Sequence, residues 1–77
     1  MSRRTFHLTF PEHLLSEPLL YRIHPEFDLV PNIRRANIEE RAGWVILDLD
    51  GSEENIDRCL AWLERAGVTV AAISEGP

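Results

Sequence analysis

The residues best equipped for chemistry stand at the end of an apolar run, Val45-Ile46-Leu47-Asp48-Leu49-Asp50-Gly51-Ser52. A strand delivering Asp-x-Asp-Gly-Ser imitates an aspartyl-phosphate centre, with Asp48 as nucleophile and Asp50 as acid. That chemistry also needs a lysine to hold the phosphate, and the chain has none. Too few residues follow Ser52 to build a doubly wound sheet, so the run reads as a strand end whose charges meet solvent before a turn glycine. It fails as a calcium loop too, because the third ligand position before the glycine is missing and position twelve holds no glutamate. His7, His13 and His24 lie on separate elements without a cysteine or carboxylate pair at metal spacing, and they read as surface histidines. His7 could still tune an interface with pH. No catalytic residue, metal or cofactor is expected, and the chain does not read as an enzyme.

The composition narrows the class further. Seventy-seven residues make one small domain, which buries only about 60 % of its unfolded surface. Self-association is a natural aid to its stability. The single cysteine, Cys59, excludes an internal disulfide framework or thiolate cluster, and its place on an apolar stripe makes it inert core. A reducing, cytoplasmic setting is expected, with neither an apolar signal core nor a run long enough to span a membrane. Thirteen acidic residues against eight arginines give a net charge of −5, the wrong sign for counterion-release binding to nucleic acid. Arg34-Arg35 with Trp44 would suit RNA stacking only if the first strand also offered aromatics outward, and it offers Thr5, His7 and Thr9.

What remains is residues 29–40, which have strand composition, an early proline and an asparagine among apolar neighbours. Proline cannot donate a ladder hydrogen bond, so this stretch is expected to be an exposed edge strand. Val30, Asn32, Arg34, Ala36 and Ile38 share one alternation phase, whereas Leu29, Ile33 and Arg35 share the other. No single register puts both isoleucines on one buried face, which predicts a bulge near Arg34-Arg35. Polar residues on bulged edges are candidates for ligand or partner contact.

The other elements follow from periodicity. Phe6, Leu8 and Phe10 alternate with Thr5, His7 and Thr9 in a half-buried strand ended by Pro11. Ser16 is expected to cap a first helix with Glu17 and Pro18 in its first turn and Leu19, Leu20, Ile23 and Phe27 inward. Pro25 should end or kink it near His24, with Asp28 in the turn beyond. Arg41-Ala42-Gly43 turns into a strand with Val45, Leu47 and Leu49 on one side and Trp44, Ile46, Asp48 and Asp50 on the other. Ser52 caps a second helix whose stripe is Ile56, Cys59, Leu60, Leu63 and Ala66, with Trp62 flanking it and Gly67 ending it. Leu60 is expected to behave as a core leucine. Residues 68–73 form the last strand, and residues 74–77 are expected to be a frayed tail.

The order βαββαβ predicts an α+β fold, a ferredoxin-like sandwich with both helices on one face of a four-stranded antiparallel sheet in the order 4-1-3-2. The open face would show Thr5, His7, Thr9, Trp44, Ile46 and Asp48. An exposed tryptophan beside an isoleucine is most simply explained by a homodimer contact.

Within that order, several runs resemble the NIL domain. They are Leu8-Thr9-Phe10-Pro11, Glu17-Pro18-Leu19-Leu20, Pro31-Asn32-Ile33 with Ala36-Asn37-Ile38, Gly43, Leu49-Asp50-Gly51, and Ala61-Trp62-Leu63 with Gly67-Val68-Thr69-Val70. Arg34 stands where the family often has leucine. NIL domains occur at the C-terminus of ATPase subunits of methionine-import ABC transporters, where they pair and bind methionine, and fused to ferredoxin-like domains linked to sulfur amino-acid synthesis. The resemblance implies a single NIL-type domain over residues 1–77, core about 4–73, acting as a free-standing regulatory homodimer that senses methionine or a related amino acid. It implies Asn32 as the polar ligand contact with Ile33 beside it and Pro31 completing the set; an amide that both donates and accepts suits either end of an amino acid. Val30, Arg34, Trp44, Ile46 and His7 are the expected dimer or partner contacts. The alternative is a ligand-free interaction module docking on a sulfur-metabolism enzyme, transporter ATPase or ferredoxin, with no nucleic acid and no membrane insertion.

Overall fold

A computed structural model of the chain describes residues 1–73; the expected tail, residues 74–77, lies outside the described residues. Strand β1 (Ser2–Pro11) is followed by a single 3-10 turn (Glu12–Leu14), helix α1 (Leu19–Phe27), strands β2 (Val30–Ile38) and β3 (Ala42–Gly51), helix α2 (Glu53–Ala66) and strand β4 (Thr69–Ile73). The sheet runs β2-β3-β1-β4, all neighbours antiparallel. This is the predicted 4-1-3-2 order read from the other edge, and it is a ferredoxin-like α+β fold. β2 and β4 are its two edges.

One face of the sheet meets the helices. Phe6 stands opposite Leu47 and Leu8 opposite Val45, and these join Ile23, Leu29, Ile56, Cys59 and Leu63 in one buried cluster. The α2 stripe is narrower than its periodicity suggests. Ile56, Cys59 and Leu63 are fully buried, while Leu60 and Ala66 pack against the cluster from its margin. Trp62 flanks the core as expected, resting on Phe27 at 5.1 Å between ring centroids with the Arg22 guanidinium 5.0 Å from its own ring. Arg22 also holds Glu26 one turn on, and that hydrogen bond lowers the Glu26 carboxyl below its ordinary value.

The helix ends follow their local chemistry. The Ser52 hydroxyl accepts from the Asn55 amide at 3.1 Å, satisfying one of the orphan donors of α2. At its other end Gly67 takes the left-handed conformation, φ 111°, and Val68 N–H closes onto the Leu63 carbonyl. The start of α1 departs from expectation. Ser16 makes no cap, and the helix begins at Leu19 after Pro18 with no side-chain cap at all. The Leu19 amide instead donates to the Glu17 carbonyl. Nor does Pro25 stop the helix: the chain runs on to Phe27 and ends on Asp28, a left-handed residue whose amide donates to the His24 carbonyl. The donor missing at Pro25 would have served Tyr21, whose residue is largely exposed, so water can take its place. The β2–β3 connection lies two residues earlier than expected, with β2 ending at Ile38 and Ala42 already in β3.

The bulge lies where the phase conflict placed it, between Ile33 and Arg35, and Arg34 is the extra residue. It resets the alternation, so that Ile33 opposite Leu47 and Ile38 opposite Gly43 both face the helices. The bulge is pinned by a carboxylate that the sequence placed at the solvent. Asp48 is only 1 % exposed. Its Oδ1 accepts from the Thr5 hydroxyl at 2.6 Å and its Oδ2 lies 3.3 Å from Arg34 Nε. A buried carboxylate persists only when paired and hydrogen-bonded, and this one ties β1, β3 and the bulge of β2 together. Thr5, expected outward and exposed, is buried with it.

Leu63→Ala is expected to cost about 2–5 kcal/mol by chemical denaturation, and Leu60→Ala distinctly less because its site is only half covered. Asp48→Ala strips the bulge of its anchor, but Arg34 is partly exposed and can rehydrate. A loss of about 1–3 kcal/mol is therefore expected by the same measurement. Burial pushes the Cys59 thiol up to about 11. Between the ordinary thiol value and that figure the unfolded chain gives up a proton the native chain keeps, so stability should fall as pH rises through this window. Ellman's reagent at pH 8 should label Cys59 only after unfolding, and rapid labelling of the native protein would contradict its burial.

Candidate functional site

Strand β2 carries the expected ligand residues, and the ladder decides where each one points. Directly paired residues of an antiparallel ladder share a face. Asn32 stands opposite Asp48 and so lies on the open face, whereas Pro31 opposite Leu49 and Ile33 opposite Leu47 lie on the helix side. The three residues thus share one strand and not one face. A single ligand touching all of them must lie across the strand's free rim.

On the helix side, Pro31 and Ile33 join Leu20, Tyr21 and His24 of α1 around a groove of about 320 Å³. Ile33 is 53 % exposed and Tyr21 86 %, so the walls of this groove are apolar surface presented to water. His24 Nδ1 lies 2.9 Å from the Leu29 carbonyl. A carbonyl only accepts, so Nδ1 carries the proton and Nε2 is the ring atom left for another contact. A second depression, of about 200 Å³, shares Leu20 and Tyr21 and extends toward Leu15 and Ile38. Together they form an apolar trough between α1 and β2 of a size that suits a small side chain or a few residues of peptide.

The expected dimer contacts gather on the open face. Val30 stands opposite Asp50, His7 opposite Ile46, and Arg34 reaches Asp48 from the bulge. His7 and Trp44 stack with ring centroids 5.4 Å apart and planes 21° from parallel. Trp44 and Ile46 are half-buried, and Val30 is the most exposed of the apolar members. The surface is less apolar than its composition suggests, because Trp44 is already partly covered by His7.

The phosphatase-like run has no geometry for catalysis. Its would-be nucleophile, Asp48, is sealed between Thr5 and Arg34, and Asp50 is bridged by Arg3 at 2.8 Å. Among the described residues no cluster of three or more His, Cys, Asp or Glu side chains could hold a metal. No helix among them is long and apolar enough to cross a membrane. Sequence reasoning missed the trough, whose signal was the run Leu20-Tyr21 with His24 one turn on. It also missed the Asp48 anchor, whose signal was a bulge arginine one strand away from an outward-phase aspartate.

Structural comparison bears on the fold. The C-terminal domain of an ABC transporter ATP-binding protein from Enterococcus faecalis superposes with a TM-score of 0.82 at 23 % identity, over 95 % of this chain and 86 % of that one. A de novo designed protein, Foldit4, superposes with a TM-score of 0.55 at 12 % identity, over 96 % and 97 % of the two chains. No curated protein matches the chain. The NIL domain model matches residues 4–72, from the third residue of β1 to the last but one of β4, and the chain therefore belongs to the NIL domain family.

Proposed function

We propose that this NIL domain is a regulatory module that works as a homodimer and binds methionine or a related amino acid across the rim of β2. The observation that carries this reading is the pairing, on one free edge strand, of an apolar trough on one face with an exposed amide on the other. An unbranched thioether is flexible enough to fill the irregular space between Leu20, Tyr21, Pro31 and Ile33. The ammonium and carboxylate would remain at the rim, where the Asn32 amide can accept from one or donate to the other. His24 Nε2 offers a further polar contact at the groove wall. The fold likeness to a C-terminal domain of a transporter ATP-binding protein supports a role in which ligand binding here adjusts a partner's activity. A setting in sulfur amino-acid metabolism and in the cytoplasm belongs to the same proposal.

A second reading is favoured by the exposed apolar side chains themselves. Ile33, Ile38 and Tyr21 on the helix side form surface of the kind that docks proteins without any small molecule, and Val30 adds exposed apolar area on the opposite face. The partner would be a transporter ATPase, a ferredoxin or an enzyme of sulfur metabolism. Trp44→Ala would then weaken binding to such a purified partner.

Titration calorimetry with L-methionine at millimolar concentration separates the two. Binding heat is expected with the native protein. Asn32→Ala should weaken affinity by about tenfold or more, the cost of one unmade hydrogen bond to a charged group. Absence of heat with the native protein would overturn the ligand proposal and leave the docking reading.

A further inference from the structure

The open face of the sheet holds a small pocket that neither the trough nor the β2 rim uses. Directly paired residues share a face, and Asn37, Trp44, Thr9 and Thr69 form one rung across that face from edge to edge. The Glu39 amide donates to the Ala42 carbonyl, making 39 and 42 a hydrogen-bonded pair. Hydrogen-bonded and non-hydrogen-bonded pairs alternate along an antiparallel ladder. Asn37 opposite Trp44 is therefore also tied to β3, whereas Ala36 opposite Val45 and Ile38 opposite Gly43 turn their N–H and C=O groups to the free edge. Asn37 and Glu39 thus stand on backbone that β3 holds in place.

The pocket measures about 120 Å³ and is lined by Thr9, Asn37, Glu39, Ala42, Gly43 and Trp44. His7 stacks on Trp44 but is not among these walls, so the pocket meets the part of the indole that His7 leaves open. Glu39 supplies a carboxylate. Its Oε1 accepts from the Asn37 side-chain amide at 3.2 Å, and it forms no ion pair among the described residues. An indole face attracts cations more strongly than the other aromatic side chains, and a carboxylate answers a guanidinium with two parallel hydrogen bonds. We propose that this pocket takes the guanidinium of an arginine on a protein partner that lies across the open face. The volume favours the end of a side chain over a free molecule, since pockets that enclose whole ligands run from about 300 Å³ upward. The charge favours a basic one. Glu40 follows Glu39 and the chain carries a net −5, which attracts cationic surfaces and repels acidic ones. An apolar side chain would desolvate the Glu39 carboxylate without giving it a partner. Arginine suits the pocket better than lysine, because its flat group can stack on the ring while its fork meets the carboxylate. The trough lies on the opposite face, so this site stands independently of ligand binding there and of any pairing of copies.

Nuclear magnetic resonance titration of the chain with the blocked peptide acetyl-Gly-Arg-Gly-amide tests the assignment, with the lysine and glutamine counterparts as controls. The arginine peptide at millimolar concentration is expected to shift the Trp44 indole N–H and the Asn37 side-chain amide saturably. The Trp62 indole, already covered by Arg22, should stay still. The lysine peptide should bind several-fold more weakly, and the glutamine peptide should leave both signals unmoved. Glu39→Gln should weaken the arginine peptide about threefold, the scale of an exposed ion pair. Ala42→Leu, which fills the pocket and leaves Trp44 and Glu39 in place, should abolish the shifts. Residues 39 and 42 are both exposed, so each variant should keep the native core signals. No response to the arginine peptide, an equal response to glutamine, or an arginine response that survives both substitutions would overturn the proposal. Equal affinity for arginine and lysine would overturn the choice of guanidinium.

Discussion

The structure depends on a buried carboxylate. Asp48 sits on the open face of a thin sheet, nearly sealed from water, and is tolerable there only because Thr5 and Arg34 answer both of its oxygens. Arg34 is the residue that the bulge adds to β2. Anchor and irregularity are therefore one feature. Without the extra residue, Ile33 and Ile38 would point to opposite faces of the sheet, and with it both line the helix side. The ion pair is a weak source of net stability, because desolvating the carboxylate offsets much of the attraction. Its consequence is positional: it decides which side chains of the edge strand overhang the trough and which stand beside the stacked His7 and Trp44.

Much of this was legible beforehand because the signals were local. Strict alternation from Thr5 to Phe10, the Ser52 cap, the glycine that ends α2 and the phase conflict along residues 29–38 each have one inexpensive structural solution, and the fold adopts it. The failures share a cause as well. Ser16 looked like a cap because residue type alone suggests one, but Pro18 took the position and set the helix start. Pro25 looked like a stop, yet its lost donor falls on an exposed turn where water substitutes. Leu60 looked like core because it lies at the right angle on the helix, yet it packs at the margin of the buried cluster and stays partly exposed. Asp48 was the largest misjudgement. A single strand read by itself cannot reveal that a bulge two strands from Thr5 will close over a carboxylate, for that depends on ladder register.

The same logic applies to the candidate site. Asn32, Pro31 and Ile33 are adjacent in sequence, but a strand sends neighbours to opposite faces, so adjacency dispersed them. What the fold assembles instead is a rim, apolar on the helix side, amide-bearing on the other, with unpaired backbone between. Such an edge is a liability in a small domain unless something covers it. The proposed ligand and second copy would each cover part of this edge.

Hydrogen–deuterium exchange read residue by residue along β2 tests that claim most directly. In dilute, ligand-free protein the Ala36 and Ile38 amides should exchange rapidly, because their donors face solvent. Raising the protein concentration and adding L-methionine should slow them, while amides of the central strands β1 and β3 change little. Ala36 and Ile38 amides that stay fast under every condition, with new protection confined to the β4 edge or the open face around Trp44, would contradict the account.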